Sequence, residues 1–191
     1  MEKFNPFGDY FYKTKIKILP QEIEQLKVFM DSITPLFDPK KTAPMTSYTL
    51  QHILDMPLMS NLKKQVQGYL DEIGCVLAYS WGQKYAKNQS HRIHTHCNSI
   101  YSGIIYVAVT DSPTFFLHPY AGNIPDSSKF TYLYESESEP GTMILFPSYT
   151  AHFVEKHTNN TERIVISFNA YDKVYGETKG APKIGLKDGK D

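Results

Sequence analysis

Cysteine is scarce. Cys75 and Cys97 are the only two among 191 residues, too few for the disulfide framework of a small secreted domain. The opening stretch MEKFNPFGDYFYKTKIKILP also lacks the basic-then-apolar layout of a secretory signal, so a reduced, cytoplasmic protein is expected. Charge of one sign is missing too. Lys and Arg total 20 and Asp and Glu total 20, which leaves no basic field to draw in a phosphate backbone or an anionic lipid surface. A dedicated nucleic-acid binder is disfavoured on that ground. No apolar run approaches the roughly 20 residues that a membrane helix requires, and no segment repeats.

What is plentiful is aromatic: 14 Tyr and 11 Phe, mostly in short runs bounded by Pro, Gly, Asn and Ser, the punctuation of strands. With 41% hydrophobic residues the chain fills one core and is short for two, so residues 1–172 are expected as one domain, with helical support over 20–74 and a barrel over 75–172. PQEIEQLKVFMDSI (20–33) has Pro at a helix start and Ile23, Leu26, Phe29, Met30 and Ile33 at helical spacing. SNLKKQVQGYLDEIG (60–74) opens on a candidate Ser cap, aligns Leu62, Val66, Tyr69, Leu70 and Ile73, and stops at Gly74. Both read as amphipathic helices covering one face of a sheet.

From Cys75 onward come CVLAYSWGQKY, HRIHTHCN, SGIIYVAV, TFFLHPY, KFTYLYES, GTMILFPS, AHFVEKH and RIVISFNAY. That is eight strand candidates, the strand number of a jelly roll. The fold class is therefore mainly β with two N-terminal flanking helices. AGNIPDSS and ESEPG have turn composition, and KVYGETKGAPKIGLKDGKD (173–191) reads as a flexible tail. The aromatic strand YFYKTKIKIL near the N-terminus is open to pairing with a second copy, as in a homodimer.

Chemistry concentrates in HRIHTHCN. On a strand His94, His96 and Asn98 share one face, and the two histidines stand about 7 Å apart, close enough for both imidazoles to reach one ion. His152 opens a later strand after the turn at Pro147 and Ser148, where it could close a three-ligand site from across the barrel. Such a site leaves coordination positions open for exogenous ligands. On RIVISFN, Arg163, Val165, Ser167 and Asn169 alternate with Ile164, Ile166 and Phe168. A cation among apolar residues needs an anionic partner, either a carboxylate ligand or one of the chain's own acids. His52, His91, His118 and His157 lack partners at the right strand spacing and take no role, although His91 is near enough to sit at the rim.

HTHCNSIYSGIIYV, GTMILFPSYTAH and RIVISFN together resemble a family of iron(II)- and 2-oxoglutarate-dependent oxygenases common in phage and bacterial genomes. Its pattern runs His-x-His, Ser-Gly-x-x-Tyr, Phe-Pro-x-x-x-x-His and Arg-x-x-x-Ser-x-Asn. The likeness spans roughly residues 80 to 170, with Trp81 upstream. It implies a double-stranded β-helix with Fe(II) held by His94, His96 and His152, and Arg163 gripping the distal carboxylate of 2-oxoglutarate. Tyr106 follows as a second donor to that cosubstrate. Ser167 and Asn169 support Arg163 or line the mouth, with Trp81 and Asn98 toward the substrate. The partners implied are 2-oxoglutarate, O2 and an unidentified primary substrate, a peptide side chain or small molecule hydroxylated at a C–H bond.

One departure stands out. The wider superfamily uses two His and one carboxylate, and this strand supplies no carboxylate: the second position reads His96, or Asn98 if His96 is the first ligand. Two alternatives remain open. A cupin-like metalloenzyme that does not use 2-oxoglutarate fits GTMILFPSYTAH, but Ile100 and Tyr101 stand where its Glu ligand belongs. A metal-free jelly roll acting as a structural or binding module is the other.

Overall fold

The computed structural model describes residues 1–7, 10–33, 44–47, 52–108, 112–119, 133–158 and 160–174. The turn at 121–128, Tyr120 and the tail from residue 175 lie outside the described residues. Two helices, α1 (Pro20–Ile33) and α2 (Ser60–Glu72), accompany eleven strands among those described. Three precede the barrel: β1 (Glu2–Phe4), β2 (Phe11–Lys15) and β3 (Met45–Thr46). The other eight are β4 (Cys75–Tyr85), β5 (His91–His94), β6 (Tyr101–Ala108), β7 (Phe115–Leu117), β8 (Leu133–Glu135), β9 (Thr142–Pro147), β10 (His152–Val154) and β11 (Arg163–Asp172). No described helix is long and apolar enough to cross a membrane.

The strands form a seven-stranded sheet, β1-β2-β9-β6-β11-β4-β3, and a four-stranded sheet, β5-β10-β7-β8. All pairings are antiparallel, so side chains alternate between the two faces of each sheet. One face of the large sheet carries Ile164, Ile166, Phe168 and Ala170 of β11 with Ile105 and Val107 of β6. These pack under Leu26 and Met30 of α1 and Leu62, Val66 and Leu70 of α2. The opposite face turns Tyr85, Ile104, Tyr106 and Val165 toward Phe116 and Val154 of the small sheet. Two apolar layers thus lie on either side of one sheet, and the site grows out of the second.

Phe168 explains Gly103. The two are directly paired across β11 and β6, and a Cβ on Gly103 would lie 2.1 Å from the Phe168 ring. The ring occupies the space a side chain would need, so the bare glycine in Ser-Gly-x-x-Tyr is a packing requirement.

Several expectations are corrected. The N-terminal aromatic strand is paired internally: Tyr12 of β2 lies opposite Leu145 of β9, and β1 adds outside β2. Ser60 does not cap α2, which starts after Met59 without a side-chain cap. The buried carboxylate of Glu22 serves instead. It accepts from the Leu19 N–H at 2.8 Å in its own first turn and from the Leu62 N–H at 2.9 Å in α2. A sequence window cannot reveal a cap donated from another helix. The strand read over 91–98 ends at His94, because Asn98 takes a left-handed backbone with φ 58° and turns the chain into β6.

Candidate metal centre and its anion recess

β5 and β10 are neighbours in the small sheet, with His94 directly opposite His152. Their rings lie 4.2 Å apart between centroids. His96 sits two residues past the end of β5, held by its N–H to the Ser148 carbonyl at 2.8 Å. Its ring is 5.3 Å from that of His94 and 5.0 Å from that of His152. One ligand nitrogen from each of the three lies within 4.8 Å of the others.

The outward hydrogen bonds decide which nitrogen that is. Nδ1 of His94 lies 2.8 Å from the Arg92 carbonyl, and Nδ1 of His152 lies 3.0 Å from the Thr150 carbonyl. Carbonyl oxygens only accept, so both rings carry their proton on Nδ1 and keep the lone pair on Nε2. For His96, Nδ1 lies 2.9 Å from Asn169 Oδ1 and 2.7 Å from Ser102 Oγ; the amide oxygen again fixes the proton on Nδ1. Asn169 is in turn oriented by its Nδ2 donating to the Tyr79 hydroxyl at 2.9 Å. Burial depresses all three imidazoles: His96 to about 4, His94 downward and His152 well below its usual range. At neutral pH the cluster is uncharged, the state in which imidazole binds metal. Three inward lone pairs with outward N–H groups anchored in the protein fit a first-row divalent ion. No carboxylate joins them among the described residues.

Arg163 begins β11, opposite Tyr85 of β4, and is only 1% exposed. Its Nε donates to the Ser112 carbonyl at 2.8 Å and its Nη2 to Thr114 Oγ1 at 3.1 Å. The guanidinium lies 4.5 Å over the Tyr85 ring and 5.5 Å from that of Tyr106. Nη1 is buried without a partner, and no ion pair involves Arg163 among the described residues. Leaving a charged donor unmet in the interior costs several kcal/mol, and no acid of the described residues pairs with it.

A narrow inner recess joins the two clusters, touching His94, His96 and His152 at one end and Arg163 and Thr114 at the other, with Ser167 on its wall. It leaves about 20 Å³ free, so a multi-carbon ligand must widen it. Outside it opens a cleft of about 320 Å³ whose walls include Tyr79, Trp81, Thr95, Cys97 and Asn169 and, among the described residues, no Asp, Glu, Lys or Arg. Trp81 stacks on Tyr79 at 5.5 Å.

Of the residues singled out in the sequence, His94, His96, His152, Arg163, Ser167, Trp81 and Asn169 all border these cavities. Tyr106 does not. Its hydroxyl is 2.9 Å from Thr114 Oγ1 and also bonded to Ser136, which places it behind Arg163. Asn98 is exposed on its turn and lines neither cavity. Gln83, Tyr85 and Thr114 were not foreseen, and His91, expected only at the rim, borders both cavities. Gln83 and Tyr85 were readable, because the alternation on β4 that directs Trp81 inward directs them inward too. Thr114 is brought in by a chain segment whose path is set by tertiary packing.

Residues 79–169 match the family model described as Putative 2OG-Fe(II) oxygenase. No curated protein matches the sequence. Among solved structures, the viral collagen prolyl hydroxylase of Paramecium bursaria chlorella virus 1, in complex with 2OG, is 12% identical with TM-score 0.59, over 85% of this chain and 96% of that one. SnoK, a non-heme alpha-ketoglutarate-dependent carbocyclase of nogalamycin biosynthesis, is 8% identical with TM-score 0.63, over 85% and 79%. HygX of Streptomyces hygroscopicus, bound to nickel and 2-oxoglutarate, is 12% identical with TM-score 0.55, over 84% and 82%. At these identities the likeness establishes the mainly β fold.

Proposed function

Because residues 79–169 match the 2OG-Fe(II) oxygenase family model, we infer that the chain is a hydroxylase that uses Fe(II), 2-oxoglutarate and O2 on an uncharged group seated in the outer cleft. The observation that carries the reading is the buried, unpartnered Nη1 of Arg163, facing a recess whose far end is three inward imidazole lone pairs. A dicarboxylate satisfies both ends at once. In this reading the jelly roll is a double-stranded β-helix built on β4–β11, with residues 1–172 as one unit and the two helices as its buttress. Both cysteines are free thiols, which suits a reduced cytoplasm.

His94, His96 and His152 would hold the metal through Nε2. When bound, Fe(II) supplies the oxidative decarboxylation of 2-oxoglutarate to succinate and the activation of O2. The protein's part is placement. Carbonyls of Arg92 and Thr150 lock two of the ligand rings, and Asn169 with Ser102 locks the third. Arg163 meets the distal carboxylate by a charge-assisted contact, while Thr114 and Tyr106 hold the guanidinium in register. Ser167, donating to Gln83 Oε1 at 3.3 Å, lines the path between them. Apolar walls at Ile104, Val154 and Val165 exclude water from the reacting span, which strengthens every polar contact there. The cleft, without charged side chains among the described residues and faced by Tyr79 and Trp81, suits a peptide side chain or small molecule without charge at the reacting end.

The test is succinate formation from 2-oxoglutarate by the purified protein with Fe(II), first without and then with candidate substrates. Turnover that needs Fe(II) and is lost in His152→Ala is expected. Failure to bind or consume 2-oxoglutarate in the presence of bound iron would return the assignment to a cupin-like metalloenzyme.

A further inference from the structure

The metal cluster and Arg163 account for the two ends of a bound diacid; one more polar ring stands between them. His91 stacks on His94 with centroids 4.1 Å apart and borders both the outer cleft and the inner recess. Its Nδ1 lies 3.4 Å from Gln83 Nε2 and 3.3 Å from the Tyr85 hydroxyl. Tyr85 is the residue whose ring carries the Arg163 guanidinium. His91 therefore bridges the triad and the arginine through direct contacts on either side. It is not a fourth ligand: its nitrogens fall outside the group that converges within 4.8 Å.

The tautomer follows from its neighbours. An amide nitrogen has no lone pair to offer, so Gln83 Nε2 donates and His91 Nδ1 accepts. In that arrangement Gln83 Oε1 receives the Ser167 hydroxyl at 3.3 Å and the Tyr85 hydroxyl at 3.4 Å. The ring proton of His91 is then on Nε2. No described protein group takes that N–H, and the ring faces the cavity where a diacid would lie.

We propose that His91 is a second anchor for the cosubstrate, its Nε2–H donating to a carboxylate oxygen of 2-oxoglutarate while Gln83 sets the ring's orientation and tautomer. This rests on the reading that 2-oxoglutarate spans the recess from the histidine triad to Arg163. It gives Gln83 and Ser167 a shared purpose: they keep His91 a donor. It also puts an uncharged donor beside the metal, where a second cation would repel the ion.

The experiment titrates 2-oxoglutarate into protein loaded with Mn(II), followed by calorimetry, and separately records the ring nitrogens of His91 by 15N NMR at neutral pH. His91→Phe keeps an aromatic ring against His94 and removes both nitrogens. It should weaken 2-oxoglutarate about 10- to 100-fold, the size of a hydrogen bond to a charged acceptor, with Mn(II) affinity changed less than about threefold. Gln83→Leu should give a smaller loss together with a mixed His91 tautomer, whereas the wild type shows protonated Nε2. Binding by His91→Phe within threefold of wild type, alongside weakened binding in Arg163→Met, would overturn the anchor and leave the recess reading intact. A wild-type ring protonated on Nδ1 would overturn it equally. If both variants bind as wild type, the diacid does not occupy the recess, and the anchor falls with that reading.

Discussion

The two faces of β11 are written in the same ten residues and do opposite things. Ile164, Ile166, Phe168 and Ala170 are sealed under the helices, each with apolar neighbours. Arg163, Ser167 and Asn169 are equally buried on the other face, yet they are polar and one carries a charge with an unmet donor. The first face gains stability from every methylene it hides. The second gives stability up, because a desolvated guanidinium is worth its place only when a ligand arrives. One strand thus serves as buttress on one face and, in the proposed reading, as binding wall on the other, and the alternation of a pleated strand keeps the two tasks from interfering.

That contrast is broken most severely by His152→Ala. Turnover and metal retention should both vanish, measured as bound iron per chain and as succinate formed, while the helix-side layer stays folded by circular dichroism. Next in size, Phe168→Ala opens a cavity under the helices and should cost about 3–5 kcal/mol in a denaturant titration, without altering 2-oxoglutarate affinity once folded. Arg163→Met is its mirror image. Cosubstrate affinity should fall by about 2–5 kcal/mol, while the stability of the ligand-free protein holds or rises, because an unpaired buried cation has been replaced by a side chain of similar length. A clear loss of stability in that variant would mean that the guanidinium serves the fold.

The smallest effect is a pH dependence of the metal-free protein. Burial pushes His91 and His96 down to about 4 from the ordinary 6.5, so between those values the unfolded chain binds more protons than the folded one. Stability is therefore complete above about 6.5 and declines as pH falls toward about 4. Thermal melts across that window should show the midpoint dropping on acidification, and bound metal should steepen the dependence, because it keeps the folded imidazoles neutral while those of the unfolded chain still take up protons.

Much of this was legible before any fold was seen. Helical spacing marked α1 over its full length and α2 to within two residues of its end, because an amphipathic stripe is a local property. Strand alternation sorted β11 into its two faces, and His-x-His with a distant His marked the three imidazoles that the structure brings together. What stayed hidden was everything carried by contacts distant in sequence. Glu22 caps a helix forty residues away, and the aromatic N-terminal strand pairs with β9. Tyr106 meets Thr114 and Ser136 instead of the cavity.

Residue type and spacing by themselves determined which side chains could bind metal and a carboxylate, since donor chemistry and the two-residue pleat are intrinsic to the chain. Only the tertiary structure decided that the three histidines converge, that Arg163 pairs with no acid among the described residues, and that His91 joins them. Convergence depends on how two sheets stack and which strands pair. Those choices are settled by packing over the whole molecule, where no short window of sequence contains the competing contacts.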